Sequence, residues 1–144
     1  MKNWEELSDG FLAALQAQDE NKAVEYLTDD VNYWEANMQE PIHGVEAVKD
    51  HFRQNWGSFT ETQFKVVNRI VSGDWGTDEG EWTGTNTGPI ETPDQTIPAT
   101  GKQARLAWVA VGKRSGDKLS ELRVYYDNVS VFAQLGIMPG SESD

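Results

Sequence analysis

Residues 102–127 read KQARLAWVAVGKRSGDKLSELRVYYD, with Ser-Gly-Asp at 115–117 separating two runs rich in β-branched and aromatic residues. Turn-forming residues between two such runs predict a β-hairpin. We therefore predict strands over 102–114 and 118–127. The second strand ends in Asp127, and the position of this carboxylate at the end of an apolar strand needs an explanation.

The hairpin follows a series of predicted helices and strands. Apolar residues at helical spacing predict the helices, and β-branched or alternating segments predict the strands. The predicted helices cover 4–15, 22–27 and 44–56, and the predicted strands before the hairpin cover 31–35, 64–71 and 77–88. Helices followed by a run of strands predict an α+β fold, with a cavity between the sheet and the helices.

No linker or repeat divides the chain, so we expect one domain over residues 1–138. Three of the five prolines lie in the segment 89–101, which we predict to be a long loop. The last residues lose any apolar pattern, and we expect a flexible C-terminal tail over 139–144.

The composition limits the partners. The chain has 144 residues, with 12 Lys and Arg against 24 Asp and Glu and a net charge of -12. Polyanions are bound by clustered basic residues, so we expect no nucleic-acid partner and no membrane partner. The chain has no cysteine, which excludes disulfides and thiolate sites. Its first residues do not resemble a signal peptide, which predicts a cytoplasmic protein.

Asp127 is the first candidate catalytic residue. Side chains two apart on a strand share a face, so Arg123, Tyr125 and Asp127 should point the same way. If that face lines the cavity, a carboxylate held between burial and a cation can transfer protons near neutral pH. Alternatively, Asp127 and Asn128 simply form a turn where the strand ends. The spacing does not choose between the two.

Glu35 is the second candidate. It ends the predicted strand 31–35 and shares a face with Tyr33, directly after Trp34. A glutamate at this place could act as a base beneath an aromatic wall. The alternative is a surface glutamate at the edge of a loop.

The strand 77–88 and the strand after it supply candidate pocket walls. Trp82 and Asn86 share one face with Gly84 between them, and a ring, a gap and an amide suit a wall that positions a carbonyl group. An ordinary sheet with one solvated face explains the pattern equally well. Trp108 is flanked by small residues, which leaves room for core packing or for a ligand.

We expect no cofactor and no metal. The glycine-rich segment 73–84 has neither a phosphate-binding loop nor a dinucleotide-binding motif. His43 and His51 are eight residues apart with no further histidine, which is poor spacing for a metal site. Both histidines are therefore interpreted as structural, with a helix cap or a place at the cavity mouth as the alternative for His43.

Four segments resemble the SnoaL-like polyketide cyclases, a family within the NTF2-like superfamily. They are EWTGTNTGP at 81–89, IPATGK at 97–102, ELRVYYDNVSVFAQLGIMP at 121–139 and GVEAVKDHF at 44–52. The resemblance implies an NTF2-like cone, in which a curved antiparallel β-sheet wraps around N-terminal helices, and a homodimer formed through the sheet.

The resemblance also implies a chemistry. Characterised members of the family close a ring of a polyketide ester by an aldol reaction without a cofactor, and Asp127 occupies the position of their acid/base aspartate. Glu35 stands near the place where steroid isomerases of this fold carry a carboxylate base. Asn86 replaces a histidine that is common in the family, and Arg123 replaces a common tryptophan.

The leading functional hypothesis is an enzyme with general acid/base chemistry, aldol cyclisation or isomerisation, on an apolar carbonyl compound such as a polyketide. Asp127 and Glu35 would be catalytic, in a pocket lined by Tyr33, Trp34, Trp82, Asn86, Trp108, Arg123 and Tyr125. One alternative is a small-molecule-binding protein without catalysis. Another is an epoxide hydrolase, which needs two aspartates bridged by an arginine.

Overall fold

The computed structural model describes residues 2–92 and 94–137, and the predicted tail at 139–144 lies outside them. Four α-helices, a short 3₁₀ helix at Trp56–Ser58 and eight strands are described. The helices are α1 (Trp4–Gln16), α2 (Glu20–Val24), α3 (Val45–Asn55) and α4 (Asn128–Leu135). The strands are β1 (Leu27–Glu35), β2 (Ile42–His43), β3 (Phe59–Ser72), β4 (Trp75–Asn86), β5 (Ile90–Glu91), β6 (Thr96–Ile97), β7 (Gln103–Ser115) and β8 (Lys118–Tyr126).

Six strands form the main sheet in the order β2-β1-β8-β7-β4-β3. Neighbouring strands are antiparallel except β1 and β8, which run parallel, so the sheet is mixed. The predicted hairpin at 102–127 is confirmed as β7 and β8. The predicted α+β class is confirmed too, with this parallel pair as a refinement of the antiparallel sheet.

Helix α1 begins with a capping box. The Asn3 side chain accepts a hydrogen bond from the Glu6 backbone N–H, and the Glu6 carboxylate accepts one from the Asn3 N–H. These bonds satisfy backbone donors that have no partner inside the helix. The apolar face of α1 is buried, including Trp4, Leu7 and Phe11, as the helical spacing predicts.

Trp4 fixes α1 against the sheet. Its ring lies on Gly76 so closely that a Cβ at that position would stand 2.2 Å from the ring atom Cε2 of Trp4. Its indole N–H also donates to the backbone carbonyl of Gly112, at 3.3 Å. The contact therefore requires glycine at position 76, because any side chain would displace the ring.

The largest apolar core lies between the helices and the first and last long strands. Phe11 of α1, Val48 and Phe52 of α3, Val31 of β1 and Leu122 of β8 are all buried in it. A smaller core contains Val131 and Leu135 of α4 together with Ala104 of β7. The two cores leave a space between them on the concave side of the sheet.

Several elements differ from the sequence predictions. The helix predicted over 22–27 covers Glu20–Val24, because β1 already begins at Leu27. The segment 89–101, predicted as a loop, contains the two-stranded hairpin of β5 and β6. Residues 128–135, for which no helix was predicted, form α4, which ends at Gly136 with φ of 77°. No helix in the described part of the chain is long and apolar enough to cross a membrane.

Candidate active site

A cavity of about 550 Å³ lies between the sheet and the helices. Its walls are mainly apolar and rich in aromatic rings, with side chains from α1, α3, α4 and six strands. The aromatic residues in its lining are Trp4, Phe11, Tyr33, Phe52, Trp56, Phe59, Phe64, Trp82, Trp108, Tyr126 and Phe132. A space of this size and character suits a small, mainly apolar molecule.

Glu35 brings a carboxylate into this apolar wall. On β1, Val31 and Tyr33 face inward and are buried, and strand alternation places Glu35 on the same side. The Glu35 side chain is only 16% exposed. A charged group in such surroundings must be hydrogen-bonded, because an unpaired buried charge is strongly unfavourable.

Three side chains donate hydrogen bonds to Glu35, each from a different element. Tyr33 of β1 donates its hydroxyl to Oε2 at 2.5 Å, and Tyr126 of β8 donates to Oε1 at 2.8 Å. His51 of α3 lies with its Nε2 2.9 Å from Oε2. A carboxylate oxygen can accept about two hydrogen bonds. Oε2 is therefore fully used, whereas Oε1 retains one acceptor position.

Asn55 holds the side chain of His51 in place. The Asn55 side-chain amide donates to the His51 backbone carbonyl at 2.7 Å and lies 3.2 Å from its Nδ1. This contact leaves Nε2 of the ring directed at Glu35.

The surroundings of Glu35 favour its charged form. Burial acts to raise the pKa of Glu35, but the hydrogen bond and charge interaction with His51 and the hydrogen bonds from Tyr33 and Tyr126 lower it by more. The pKa of Glu35 is thus below its ordinary value of 4.5. Glu35 is therefore an ionised carboxylate at neutral pH, available to accept a proton.

The two tyrosines remain protonated for the same physical reason. Burial, together with the nearby Glu35 charge and the hydrogen bond to it, raises the pKa of Tyr33 well above its ordinary value of 10.0. The same causes raise the pKa of Tyr126. Both hydroxyls therefore stay hydrogen-bond donors throughout the physiological pH range.

A second buried carboxylate, Asp78 of β4, lies at another part of the cavity wall. Arg69 of β3 binds it through two nitrogens, Nε at 2.6 Å and Nη2 at 3.0 Å, and the hydroxyl of Ser8 on α1 donates to it at 2.5 Å. Arg69 also contacts Asp9 of α1 at 2.8 Å. This cluster joins α1 to two strands of the sheet.

Four of the nine residues predicted for the site line the cavity: Tyr33, Glu35, Trp82 and Trp108. Trp108 lies across Gly80, where a Cβ would stand 2.5 Å from its ring atom Cζ2. The indole nitrogen of Trp108 is buried and has no hydrogen-bond partner in the described part of the chain.

Asp127 does not face the cavity, and the inward placement expected for it is wrong. It is exposed, and its carboxylate accepts a hydrogen bond from the Ser130 backbone N–H at 3.1 Å as the N-cap of α4. The inward face of β8 carries Leu122, Val124 and Tyr126, which line the cavity. Strand alternation therefore turns the face of Asp127 outward.

The other four predicted pocket residues are also outside the cavity lining. Arg123 and Tyr125 are exposed on the outer face of β8, and Trp34 packs edge-to-face against Tyr125 with ring centroids 5.2 Å apart. Asn86 is fully buried, but its amide donates to the carbonyls of Ser58 and Gly88 and its oxygen accepts from Thr100. Asn86 therefore holds loops together and has no free group for a ligand.

The sequence predictions missed Tyr126, His51, Asn55 and Asp78. The alternation of Leu122, Val124 and Tyr126 was visible in the sequence, and it would have placed Tyr126 on the apolar, inward face of its strand. His51 was interpreted as structural because it stands beside the apolar stripe of its helix. Its contact with Glu35 depends on how α3 packs on β1, which no local pattern shows.

The remaining features of the surface add no second candidate. A depression of about 630 Å³ at the end of α1 is open to solvent and lined by small and polar residues such as Ala13, Gln16 and Thr60. Among residues 2–92 and 94–137, no group of three or more His, Cys, Asp and Glu side chains is placed to hold a metal ion.

A family model described as the SnoaL-like domain matches residues 9–122. No curated protein sequence matches the chain. Among solved structures, a candidate SnoaL-like polyketide cyclase from Jannaschia sp. CCS1 superimposes with a TM-score of 0.81 at 20% identity, covering 94% of this chain and 92% of that one.

Two further structures have the same fold. IdmH from Streptomyces antibioticus, a candidate polyketide cyclase, gives a TM-score of 0.75 at 18% identity, covering 92% of this chain and 97% of its own. An LEH-like epoxide hydrolase of M. tuberculosis gives a TM-score of 0.69 at 18% identity, and the match covers 92% of this chain and 89% of that one. At these identities the similarity establishes the NTF2-like fold and does not identify a reaction.

Proposed function

The chain belongs to the SnoaL-like domain family, and from that premise we propose that it is an enzyme that transfers a proton at carbon. The proton leaves a carbon next to a carbonyl or imine group of a small, mainly apolar substrate, as in an isomerisation or an aldol cyclisation. One observation carries the proposal: the Glu35 carboxylate lines an apolar, aromatic-rich cavity, and its Oε1 retains an acceptor position.

In the proposed reaction, Oε1 of Glu35 accepts the proton as the carbon–hydrogen bond breaks. The electron pair of the C–H bond forms a C=C bond to the carbonyl or imine carbon, and the π pair of the C=O or C=N bond moves to the oxygen or nitrogen. Glu35 then returns the proton to another carbon, or the new nucleophilic carbon attacks a second carbonyl group. A positioned carboxylate base of this kind typically contributes about 10²–10⁴-fold to a rate.

The partners of Glu35 have positioning roles. Tyr33 and His51 occupy Oε2 and hold the carboxylate plane, and Tyr126 fixes Oε1 on the wall of the cavity. The walls leave the Glu35 side chain only 16% exposed, and such burial strengthens electrostatic interactions at the carboxylate.

Hydrogen–deuterium exchange tests the proposal without knowledge of the natural substrate. A panel of apolar cyclic ketones and imines is incubated with the protein in D₂O, and incorporation of deuterium next to the C=O or C=N group is followed by NMR. We expect the wild type to exceed the buffer rate for part of the panel. Glu35→Gln should reduce the enzymatic rate by about 10²-fold or more.

Asp127→Asn is the matched control, because it makes the same carboxylate-to-amide change outside the cavity. It should exchange at the wild-type rate, and both variants should retain the wild-type circular dichroism spectrum. Full exchange activity in Glu35→Gln, or loss of activity in Asp127→Asn alone, would overturn the assignment of Glu35 as the base.

Epoxide hydrolysis is the second candidate, favoured by one observation. Arg69 bridges the carboxylates of Asp78 and Asp9, which is the arrangement that such a reaction needs. Arg123 of β8 and Asp127 directly after it cannot serve this reaction, because the face that they share points outward. We place this reaction second because the Asp78 side chain is 0% exposed. The test is whether the protein converts cyclohexene oxide to the diol. If it does, and if Asp78→Asn abolishes that activity, epoxide hydrolysis would become the first candidate function.

We also propose a homodimer formed through the outer face of the sheet. Ile70, Trp75 and Tyr125 are large apolar residues on three strands of the sheet, and they are 62%, 41% and 43% exposed. Exposed apolar side chains of this kind are typical of protein interfaces. Sedimentation equilibrium should give twice the monomer mass, and Ile70→Glu should shift it to the monomer. A wild-type monomer would exclude this interface.

A further inference from the structure

We propose that the substrate carries a positively charged nitrogen, an iminium or ammonium group, which lies against Glu35. The inference rests on the proposed function and specifies the substrate class for that same cavity. It follows from the charges and hydrogen-bond donors of the cavity wall, which favour a cation over a neutral molecule or an anion.

The lining contains four ionisable side chains other than tyrosine: Glu35, His51, Asp78 and Glu91. No lysine or arginine is among the described residues of the lining. Three of the four are carboxylates, so an anionic ligand would meet repulsion without a compensating cation in the wall. A net charge of -12 for the whole chain adds to this negative potential.

The two buried carboxylates, Asp78 and Glu35, differ in the groups that balance their negative charge. Asp78 is neutralised by the two-nitrogen contact with Arg69, which lies behind the wall. The groups that face Glu35 are Tyr33 from β1, Tyr126 from β8 and His51 from α3, and none of them is a Lys or Arg. Oε1 of Glu35 accepts one hydrogen bond, from Tyr126, and keeps a second acceptor position. A cationic ligand can therefore lie against this carboxylate.

Several donors of the wall are already engaged, which disfavours a reaction that creates an anion beside Glu35. Tyr33 and Tyr126 donate to Glu35, Ser8 donates to Asp78, and the indole N–H of Trp4 donates to a backbone carbonyl. An enolate formed from a neutral ketone would need several donors at its oxygen. The buried indole N–H of Trp108 has no partner among the described residues, but the two hydroxyls beside Glu35 are already in use.

A cationic substrate removes that requirement. When Glu35 takes a proton from the carbon next to an iminium group, the electron pair of the C–H bond forms a C=C bond. The π pair of the C=N bond moves to nitrogen, and the products are a neutral enamine and a protonated carboxyl group. No negative charge develops on the substrate, so the scarcity of free donors does not hinder the step.

The aromatic walls favour the same ligand class. The face of an aromatic ring attracts a cation within about 6 Å of its centroid, most strongly when the site excludes water. Phe52 and Tyr33 pack edge-to-face beside Glu35, with centroids 5.5 Å apart, and Trp56 stacks on Phe52 at 5.1 Å. A nitrogen cation beside Glu35 would therefore contact both a carboxylate and ring faces.

Two ligands of equal shape and different charge test the inference. Benzyltrimethylammonium and its uncharged carbon isostere, neopentylbenzene, are titrated against the full chain, and binding is followed by tryptophan fluorescence. At about 0.15 M salt, where long-range attraction is screened, we expect the cation to bind about 10-fold more tightly or better. Equal binding, or a preference for the uncharged isostere, would overturn the inference.

Two variants locate the origin of the preference. Glu35→Gln should reduce the affinity ratio of cation to isostere to near 1, whereas Asp127→Asn, which removes one charge outside the cavity, should leave the ratio unchanged. Persistence of the ratio in Glu35→Gln would show that the net charge of the protein causes it, and the inference would fail.

The result is separable from the exchange experiment of the proposed function. Exchange of neutral ketones at an enhanced rate, with no preference for the cation, would refute the charge inference and support proton transfer. A cation preference that depends on Glu35, with no exchange in any ketone or imine, would refute proton transfer and support a cation-binding site.

Discussion

Glu35 and Asp78 are both buried carboxylates on the wall of one cavity, but their neighbours differ. Asp78 is bound by an arginine through two hydrogen bonds and by the hydroxyl of Ser8. Glu35 is bound by two tyrosine hydroxyls and one imidazole. One carboxylate is therefore bound by an arginine, and the other is bound by two hydroxyls and an imidazole.

This difference separates a structural role from a chemical one. The Asp78–Arg69 pair joins β3, β4 and α1, and its hydrogen bonds leave little capacity for a ligand. Glu35 remains charged, and its Oε1 has one free acceptor position. Replacing the carboxylate by an amide should therefore cost the fold little stability. We therefore assign Asp78 to stability and Glu35 to function, and the following predictions test that assignment.

The largest effect on stability is expected for Asp78→Asn. Removing one partner of a buried ion pair leaves the other charge uncompensated, which typically costs about 3–5 kcal/mol. We expect the lower end, about 3 kcal/mol, because Arg69 keeps its contact with Asp9. Glu35→Gln should change the free energy of unfolding by less than about 1 kcal/mol. Urea unfolding of the two variants measures both values, and equal losses would contradict the assignment.

A smaller effect, on the pH dependence of the exchange reaction, is expected when His51 is replaced. His51 lowers the pKa of Glu35, so proton abstraction by the wild type should persist as the pH falls to 4.5, the ordinary value for a glutamate. His51→Phe removes this donor and should move the acidic limit of the exchange reaction to higher pH. His51→Gln, which can still donate a hydrogen bond, should partly restore the wild-type limit. An unchanged pH–rate profile in His51→Phe would contradict the proposed interaction.

The same pKa shift predicts the sign of a stability change. Because the pKa of Glu35 is lowered in the folded state, its ionised form stabilises the protein above the unfolded-state pKa, and this contribution is lost as the pH falls through the folded-state value. Wild-type stability should therefore decline more steeply below pH 4.5 than that of Glu35→Gln. Parallel unfolding curves across that range would show that Glu35 is not involved.

The smallest effect is expected at Asp127. As the N-cap of α4, its replacement by alanine should cost about 1 kcal/mol, whereas Asp127→Asn should be nearly neutral because asparagine is an equally good cap. Neither change should alter the exchange rate per folded molecule. Thermal unfolding and the exchange assay together check this, and a loss of activity in Asp127→Asn would restore the role that the sequence resemblance implied.

The α+β class, the hairpin of β7 and β8, and helix α1 were predictable because each depends on local signals. Turn residues at 115–117 and the apolar spacing from Trp4 onward act within a few residues. The position of Glu35 beside Tyr33 was equally predictable, because alternation along a strand is a local property.

The orientation of β8 was not correctly predicted, although its alternation was. Arg123, Tyr125 and Asp127 do share a face, as expected, but only the packing of Leu122 and Val124 against the cavity shows that this face points outward. The resemblance to a family drew attention to Asp127, while its capping bond to Ser130 became visible only with α4 in place.

The sequence by itself determined which side chains were available for chemistry. The chain is acidic, rich in tryptophan and free of cysteine, and it carries a carboxylate directly after Tyr33 and Trp34. The tertiary structure alone decided which of them meet. Tyr126 reaches Glu35 from 91 residues away because β1 and β8 pair in parallel, and His51 reaches it because α3 packs on β1. Hydrogen bonds between such distant residues depend on sheet order and helix packing, which are properties of the whole chain.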